Sequence, residues 1–510
     1  MNTEINEPPI STAVATKSFL TTPIYYASGS PHLGHAYTTF LASCYKRYRQ
    51  LRGDEVLLAT GSDEHGQKIE RTAKRNEVAT QRFVDKISHE FRQLWSDLDI
   101  QVDLFERTTE SAHIQSVLNF WYRLTASGDI YPGEYSGLYC VECEQYFTKG
   151  KTCPIHKKPL EQFSETCWFF RLSRYQDKLI DHIESHPEFI LPVQRRNEVL
   201  SFLKGEALRD LSVSRSSTKW GIPVPDDPEL VLYVWIDALV AYVSALESAT
   251  SEFESWWENA VHFIGKDILI FHAVYWPALL LSARLPLPRS LIVNGWLTIE
   301  GEKISKSNPK TIISPLDLTD KYSRDGLKYY LLRTVGLGSD VDYNSSHLHQ
   351  TLNTDLANNL GNLVSRVVSL ISKNHGGCLS RPKSGVNFNE TLLVTANKAI
   401  KETEDAFSNF NFARGAEAFI NCASAINGYL QQQQPWKITE LDLQARILWV
   451  CCLAIRDVSI LATPFVPELA QRIRLALGVN GTPRWDELGS EVECFEVQRG
   501  VVVFSRLDLL

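Results

Sequence analysis

His32-Leu33-Gly34-His35 sets two histidines three residues apart around a glycine, where an apolar, strand-like run gives way to a helical pattern. A helix starting there offers unpaired N–H groups and the positive end of its dipole, so phosphate is its natural guest. Gly34 permits close backbone approach, and His32 and His35 can donate to phosphate oxygens. Far downstream, Lys303-Ile304-Ser305-Lys306-Ser307 follows Gly301 and runs into Asn308-Pro309. Two lysines on such a loop can neutralise charge building on a departing pyrophosphate. A third constellation is Cys140-Val-Glu-Cys143, nine residues, then Cys153-Pro-Ile-His156. Two such half-knuckles supply the four donors of a tetrahedral zinc site, structural because every ligand comes from the protein. Taken singly, the first two motifs also fit an ordinary turn and a solvated basic loop.

The elements that must hold these residues follow from periodicity. SFLTTPIYYASG (18–29) is rich in aromatic and β-branched residues and ends in a Ser/Gly turn, a strand by pattern. A helical pattern follows as far as Gly53, and EVLLATGSDEHG (55–66) is a second apolar strand. Strand, helix, strand at this spacing predicts a doubly wound parallel sheet with its ligand site at the strand C-terminal ends. Between 126 and 230 cysteines, prolines and glycines cluster and the alternation lapses, which reads as an insertion. Strand-then-helix segments resume at 231–301. Leu356, Leu360, Leu363, Val367 and Leu370 then recur at spacings of four and three, and apolar helical stretches at 391–433 and 441–477 predict a bundle.

Composition bounds the reading. Hydrophobic residues make up 44% and charged residues 22% of 510, enough for several cores and too apolar for a disordered chain. The net charge of −8 advertises no nucleic-acid or membrane partner overall, although a local basic face can coexist with it. Ten cysteines, two of them adjacent at 451–452, are too few for a disulfide scaffold and point to a reducing, cytoplasmic compartment. No signal peptide and no spanning helix is expected: Asp237 breaks 231–246, and Arg456 and Asp457 break 447–466. Met1 is the only methionine.

HxGH in the first strand–helix turn together with KxSKS after the last strand resembles the joint signature of class I aminoacyl-tRNA synthetases. The fuller set of TPIYYASGSPHLGH (22–35), GSDEHGQKI (61–69), RRNEVLSFL (195–203), WIDALVAY (235–242), HFIGKDILIFH (262–272), NGWLTIEGEKISKS (294–307), NLGNLVSR (359–366) and QPWK (434–437) resembles the methionyl-tRNA synthetases nearly end to end. Ile304 departs from the methionine usual in that loop. Residues 1–17 read as a flexible leader. The resemblance implies a Rossmann catalytic domain in two halves (18–125 and 231–298) and a zinc-bearing connective insertion (126–230). It further implies a loop and stem-contact segment (299–355) and a helical anticodon-binding domain (356–510). The implied reaction joins methionine and ATP, with Mg2+, into methionyl-adenylate and passes methionyl to the 3′ end of its tRNA, initiator included.

Carried over position by position, the resemblance implies that Ile24, Tyr26, Asp63, Trp235, Ala238, Leu239, Tyr242, Ile268 and His272 bind methionine, Asp63 facing its ammonium. It implies that His32, Gly34, His35, Gly265, Asp267, Lys303 and Lys306 hold ATP, the two histidines and two lysines being catalytic. Asn362, Arg366 and Trp436 would read the anticodon, and one zinc ion would sit on Cys140, Cys143, Cys153 and His156. The chain ends soon after the helical stretch, which predicts a monomer. Two other classes of protein are disfavoured by the same motifs. A synthetase for isoleucine, valine or leucine would carry a large editing domain where this chain has its knuckle. A catalytically silent RNA-binding paralogue would have no need of intact HLGH, KISKS and Asp63.

Overall fold

The structure is a computed structural model that describes residues 16–141, 145–147, 150–154, 157–299, 301–304, 313–382 and 391–508. Its main sheet opens with β1 (Lys17–Tyr26), β2 (Glu55–Asp63) and β3 (Leu104–Arg107). β4 (Ile130–Cys140) and β5 (Glu161–Phe170) belong to a separate antiparallel sheet, and the main sheet resumes with β6 (Ile190–Leu191), β7 (Val261–Gly265) and β8 (Ser290–Asn294). The order β3-β2-β1-β7-β8-β6 is parallel throughout, as the strand–helix alternation predicts. The chain runs outward from β1 through β2 and β3, then returns to the other side of β1 at β7. That reversal opens a crevice beyond the C-terminal ends of β1 and β7, the place where such sheets bind ligands.

Helix α1 (Leu33–Leu51) packs Ala36, Phe40, Leu41 and Cys44 into the core, and Gly53, at φ 90°, supplies the left-handed turn that stops it. Helices α2 (Ser111–Ala126) and α3 (Val234–Ala249) lie against one another beside β3. Between them β4 and β5 pair antiparallel from Ile130↔Phe170 to Tyr139↔Glu161. The 126–230 segment does not stay apart: Ile190 and Leu191 pair with Leu291 and Ile292 at the edge of the main sheet, where Pro192 ends the ladder.

Helices α4 (Asn362–Asn374), α5 (Thr391–Ser408), α6 (Phe412–Gln433), α7 (Leu441–Ala462) and α8 (Pro467–Leu477) form the C-terminal bundle. Of the stripe read from the sequence, Leu356, Leu360, Leu363 and Val367 are fully buried and Leu370 only partly. A wide π-helical stretch, Leu352–Gly361, rephases the helix just before α4. The charges that break the apolar run of α7 are buried as a pair, with the Arg456 guanidinium donating to Asp457 Oδ1 at 2.7 and 3.0 Å. Among the described residues no helix is long and apolar enough to cross a membrane.

Candidate active site

His32 is the N-cap of α1. Its Nδ1 accepts from the Gly34 N–H (3.2 Å), while His35 Nδ1 accepts from the His32 N–H (3.0 Å), a reciprocal capping box. With both Nδ1 atoms accepting, each neutral imidazole carries its hydrogen on Nε2. The two rings stack at 3.7 Å between centroids. A Cβ on residue 34 would lie 3.1 Å from His32 Cε1, so the missing side chain of Gly34 is what lets the His32 ring fold over the first turn. Tyr25 holds this turn from beneath by donating to the His35 carbonyl at 3.2 Å.

Gly265 ends β7 and is followed by Asp267, whose Oδ1 would sit 2.7 Å from a Cβ at 265 and accepts from Trp296 Nε1 at 3.1 Å. Asp63 ends β2 directly opposite Tyr26. Trp235, Ala238, Leu239 and Tyr242 line one face of α3. Trp235 stacks on Phe271 at 3.7 Å. Tyr242 Oη lies 2.7 Å from His272 Nε2, and His272 Nδ1 lies 2.9 Å from the Ile268 carbonyl. A carbonyl can only accept, so His272 donates from Nδ1 and accepts the tyrosine hydroxyl at Nε2. Burial pushes the pKa of His272 down to about 4, which keeps the ring neutral and the pair intact at pH 7. His272 lies on a π-helical turn, Phe271–Tyr275, just ahead of Pro277, which has no N–H to give an ordinary helix.

The elements carrying these groups meet around one cavity of about 380 Å³. Its walls include Ile24, Tyr26, His32, Gly34, His35, Asp63, Trp235, Ala238, Leu239, Tyr242, Gly265, Asp267, Ile268 and His272, every described residue that the motifs assigned to methionine or ATP, apart from the loop lysine Lys303. The same walls contain residues that sequence reasoning missed: Tyr25, Tyr37, Lys68, Asn294, Trp296 and, from the insertion, Lys158. Tyr25 and Lys68 stood inside the motif strings TPIYYASGSPHLGH and GSDEHGQKI, and Asn294 and Trp296 in NGWLT. Tyr37 and Lys158 lay outside every such string. Ile304 is buried against the same cavity, so an aliphatic side chain fills that position.

Several assigned residues fall elsewhere. Lys306 and the side chain of Lys303 lie outside the described residues; the Lys303 backbone pairs with Thr298. Cys140 and Cys153 are buried, while Cys143 and His156 lie outside the described residues. Among the described residues no cluster of three or more His, Cys, Asp and Glu side chains is arranged to hold a metal. Asn362 and Arg366 are exposed on α4, and the Arg366 guanidinium sits 5.4 Å from the Trp436 ring, which is 40% exposed. Trp436 occupies a short turn after α6 whose Pro435 carbonyl accepts from Gln444 Nε2 at 2.7 Å. None of these three residues lines the cavity.

Comparison with known proteins bears on both regions. The family model for class I tRNA synthetases (M) matches residues 18–167 and 151–368, and that for the anticodon binding domain of methionyl tRNA ligase matches 382–504. The methionine–tRNA ligase of Caldanaerobacter subterraneus subsp. tengcongensis is 39% identical over 505 residues, covering 96% of this chain and 79% of its own length. That of Streptomyces coelicolor is 40% identical over 495 residues, covering 93% and 90%. The structure of Mycobacterium tuberculosis methionyl-tRNA synthetase in complex with methionyl-adenylate superposes with a TM-score of 0.91 at 36% identity, over 96% of this chain and 100% of that one.

Proposed function

Since the chain belongs to the class I methionyl-tRNA synthetases, we propose that the cavity at the β1–β7 crevice is where methionine meets ATP. The chain is a methionine–tRNA ligase: it activates methionine with ATP, releases pyrophosphate and transfers the methionyl group to tRNA. One observation carries the placement of the site. Fourteen residues drawn from β1, α1, β2, α3, β7 and the turn after it converge on a single cavity of about 380 Å³.

In this reading Asp63 faces the methionine ammonium, and Trp235, Leu239, Tyr242 and His272 enclose the thioether, whose sulfur gains from aromatic contacts. The carboxylate attacks the α-phosphorus in line while the protein positions the reactants and offsets charge on the leaving phosphates. The capping box gives His32 and His35 one Nε2–H donor each beside the helix N-terminus, suited to those phosphate oxygens. Gly265 and Asp267 adjoin the nucleoside, and Lys303 and Lys306 meet the tail phosphates of ATP, which enters with Mg2+. Lys306→Ala tests the loop: removing one charge-stabilising donor should slow pyrophosphate exchange roughly 10²–10³-fold with little change in methionine affinity. Near-normal exchange would remove Lys306 from the assignment.

The zinc-bearing insertion belongs to the same proposal. Cys140 at the end of β4 and Cys153, whose N–H donates to the Lys158 carbonyl at 2.8 Å, are buried sulfur ligands of the right kind. With Cys143 and His156 they would hold one zinc ion that staples the insertion beside Lys158. Asn362, Arg366 and Trp436 are proposed to read the anticodon, supported by the exposure of all three and by the guanidinium–indole contact. A monomer working in the cytoplasm completes the reading, and the cysteine usage suits a reducing compartment.

A further inference from the structure

Behind the wall of the cavity, charged groups are buried with no part in the chemistry described so far. Asp237 lies on α3 between Trp235 and Ala238 and is 1% exposed. One of its oxygens is 2.6 Å from His65 Nδ1, and the other is 2.7 Å from His113 Nε2. His113, fully buried on α2, also places Nδ1 2.8 Å from Ser244 Oγ, and Ser244 donates to Glu106 at 2.6 Å. Burial opposes charge on His113, but hydrogen bonds to Asp237 and Glu106 and their charges outweigh it and raise its pKa to about 9. An imidazolium that donates from both nitrogens fits this geometry.

The placement matters more than the charge. Asp237 and Ser244 are seven residues apart, two turns along one face of α3, so His113 grips the helix at two points and resists its rotation. The adjoining face carries Trp235, Ala238, Leu239 and Tyr242 into the cavity. His65, at the other end of the clamp, is two residues past Asp63 on the strand end proposed to meet the ammonium. Trp220 closes over this corner, its Nε1 donating to the Glu64 carbonyl at 2.6 Å.

We propose that Asp237, gripped by His65 and His113, is a positioning residue that sets the span between the ammonium end and the thioether end of the pocket, and so the side-chain length the enzyme accepts. This rests on the reading of the cavity as the methionine site.

The test is methionine-dependent pyrophosphate exchange by full-length Asp237→Asn, with methionine and its S-ethyl homologue ethionine as substrates. The KM for methionine should rise about tenfold while that for ATP moves less than twofold. The efficiency ratio of ethionine to methionine should also rise about tenfold, since one methylene is commonly worth 10–200-fold in discrimination. In case Asp237→Asn does not fold, His65→Ala and His65→Asn give the same contrast: asparagine keeps a donor at the Nδ1 position and should retain selectivity that alanine loses. Trp235→Ala separates the two layers of the argument. If it raises the KM for methionine while folded Asp237→Asn and His65→Ala leave KM and selectivity within twofold, the clamp is refuted and the pocket stands. If Trp235→Ala also changes nothing, the pocket reading fails and the clamp with it.

Discussion

Replacing Trp436 should separate activation from the proposed tRNA reading, because the residue is exposed in the bundle and absent from the cavity walls. A base stacked on an aromatic ring is worth about 1–3 kcal/mol, and every 1.4 kcal/mol is tenfold. Trp436→Ala should therefore lower the charging efficiency for tRNA roughly fivefold to 150-fold. The contact with the Arg366 guanidinium, at 5.4 Å, adds about 0.5–1 kcal/mol at an exposed site and is lost as well. The part of the indole that packs inward also stabilises the turn after α6, so Trp436→Phe is the companion variant. Phenylalanine keeps a stacking face and most of the buried area, and should cost less than about fivefold. The assay is charging of tRNA beside methionine-dependent pyrophosphate exchange, which needs no tRNA, with melting curves for each variant. Exchange should stay within twofold of the parent. If Trp436→Ala damaged exchange and charging equally, or left charging untouched, the assignment of this face to the anticodon would be refuted.

Stability should fall on the alkaline side because of His113. Its pKa is raised from 6.5 to about 9 in the folded chain, so its contribution is fully present below pH 6.5 and is lost as pH rises through 9. That is about 3 kcal/mol, visible as a urea midpoint that drops between pH 6.5 and 9.5 in the parent and stays flatter in His113→Gln; identical profiles would show that His113 stays neutral. Asp237, held down at about 2 against the cost of its burial by His65 and His113, acts at the acid end: its contribution is present above pH 3.8 and fades as pH falls through 2. Metal analysis of the purified protein should find one equivalent of zinc, and Cys153→Ser should abolish it and impair charging without melting the bundle. No zinc, or two equivalents, would contradict the four-ligand set.

Local devices were legible in the sequence and distant pairings were not. HLGH could be read because a capping residue, a glycine and a helical run sit within a few positions of one another, and the structure builds the expected helix N-terminus from them. The parallel sheet was readable from strand–helix alternation, and Trp235, Leu239 and Tyr242 share a helix face as their spacing requires. The clamp had no such signature. His65, His113 and Asp237 lie 48 or more positions apart, and only the packing of β2, α2 and α3 brings them together. The strand at Ile190–Leu191 is two residues long, too short to show a period within a Pro- and Gly-rich segment. The ribbon joining Cys378–Ser380 to Cys494–Glu496 closes across more than a hundred residues and is equally silent in the sequence. The exposure of Trp436 had to come from the structure, because QQPWK offers no periodicity to place it inside or out.

The amino acid that the cavity selects is the most direct readout of what this site does. Pyrophosphate exchange by the purified chain should be measured with ATP and, in turn, methionine, isoleucine, valine and leucine. A wall of Trp235, Leu239, Tyr242 and neutral His272 around an unbranched thioether predicts exchange with methionine at an efficiency roughly a hundredfold or more above the branched substrates. Exchange supported equally well by isoleucine, valine or leucine, or none with methionine, would contradict it.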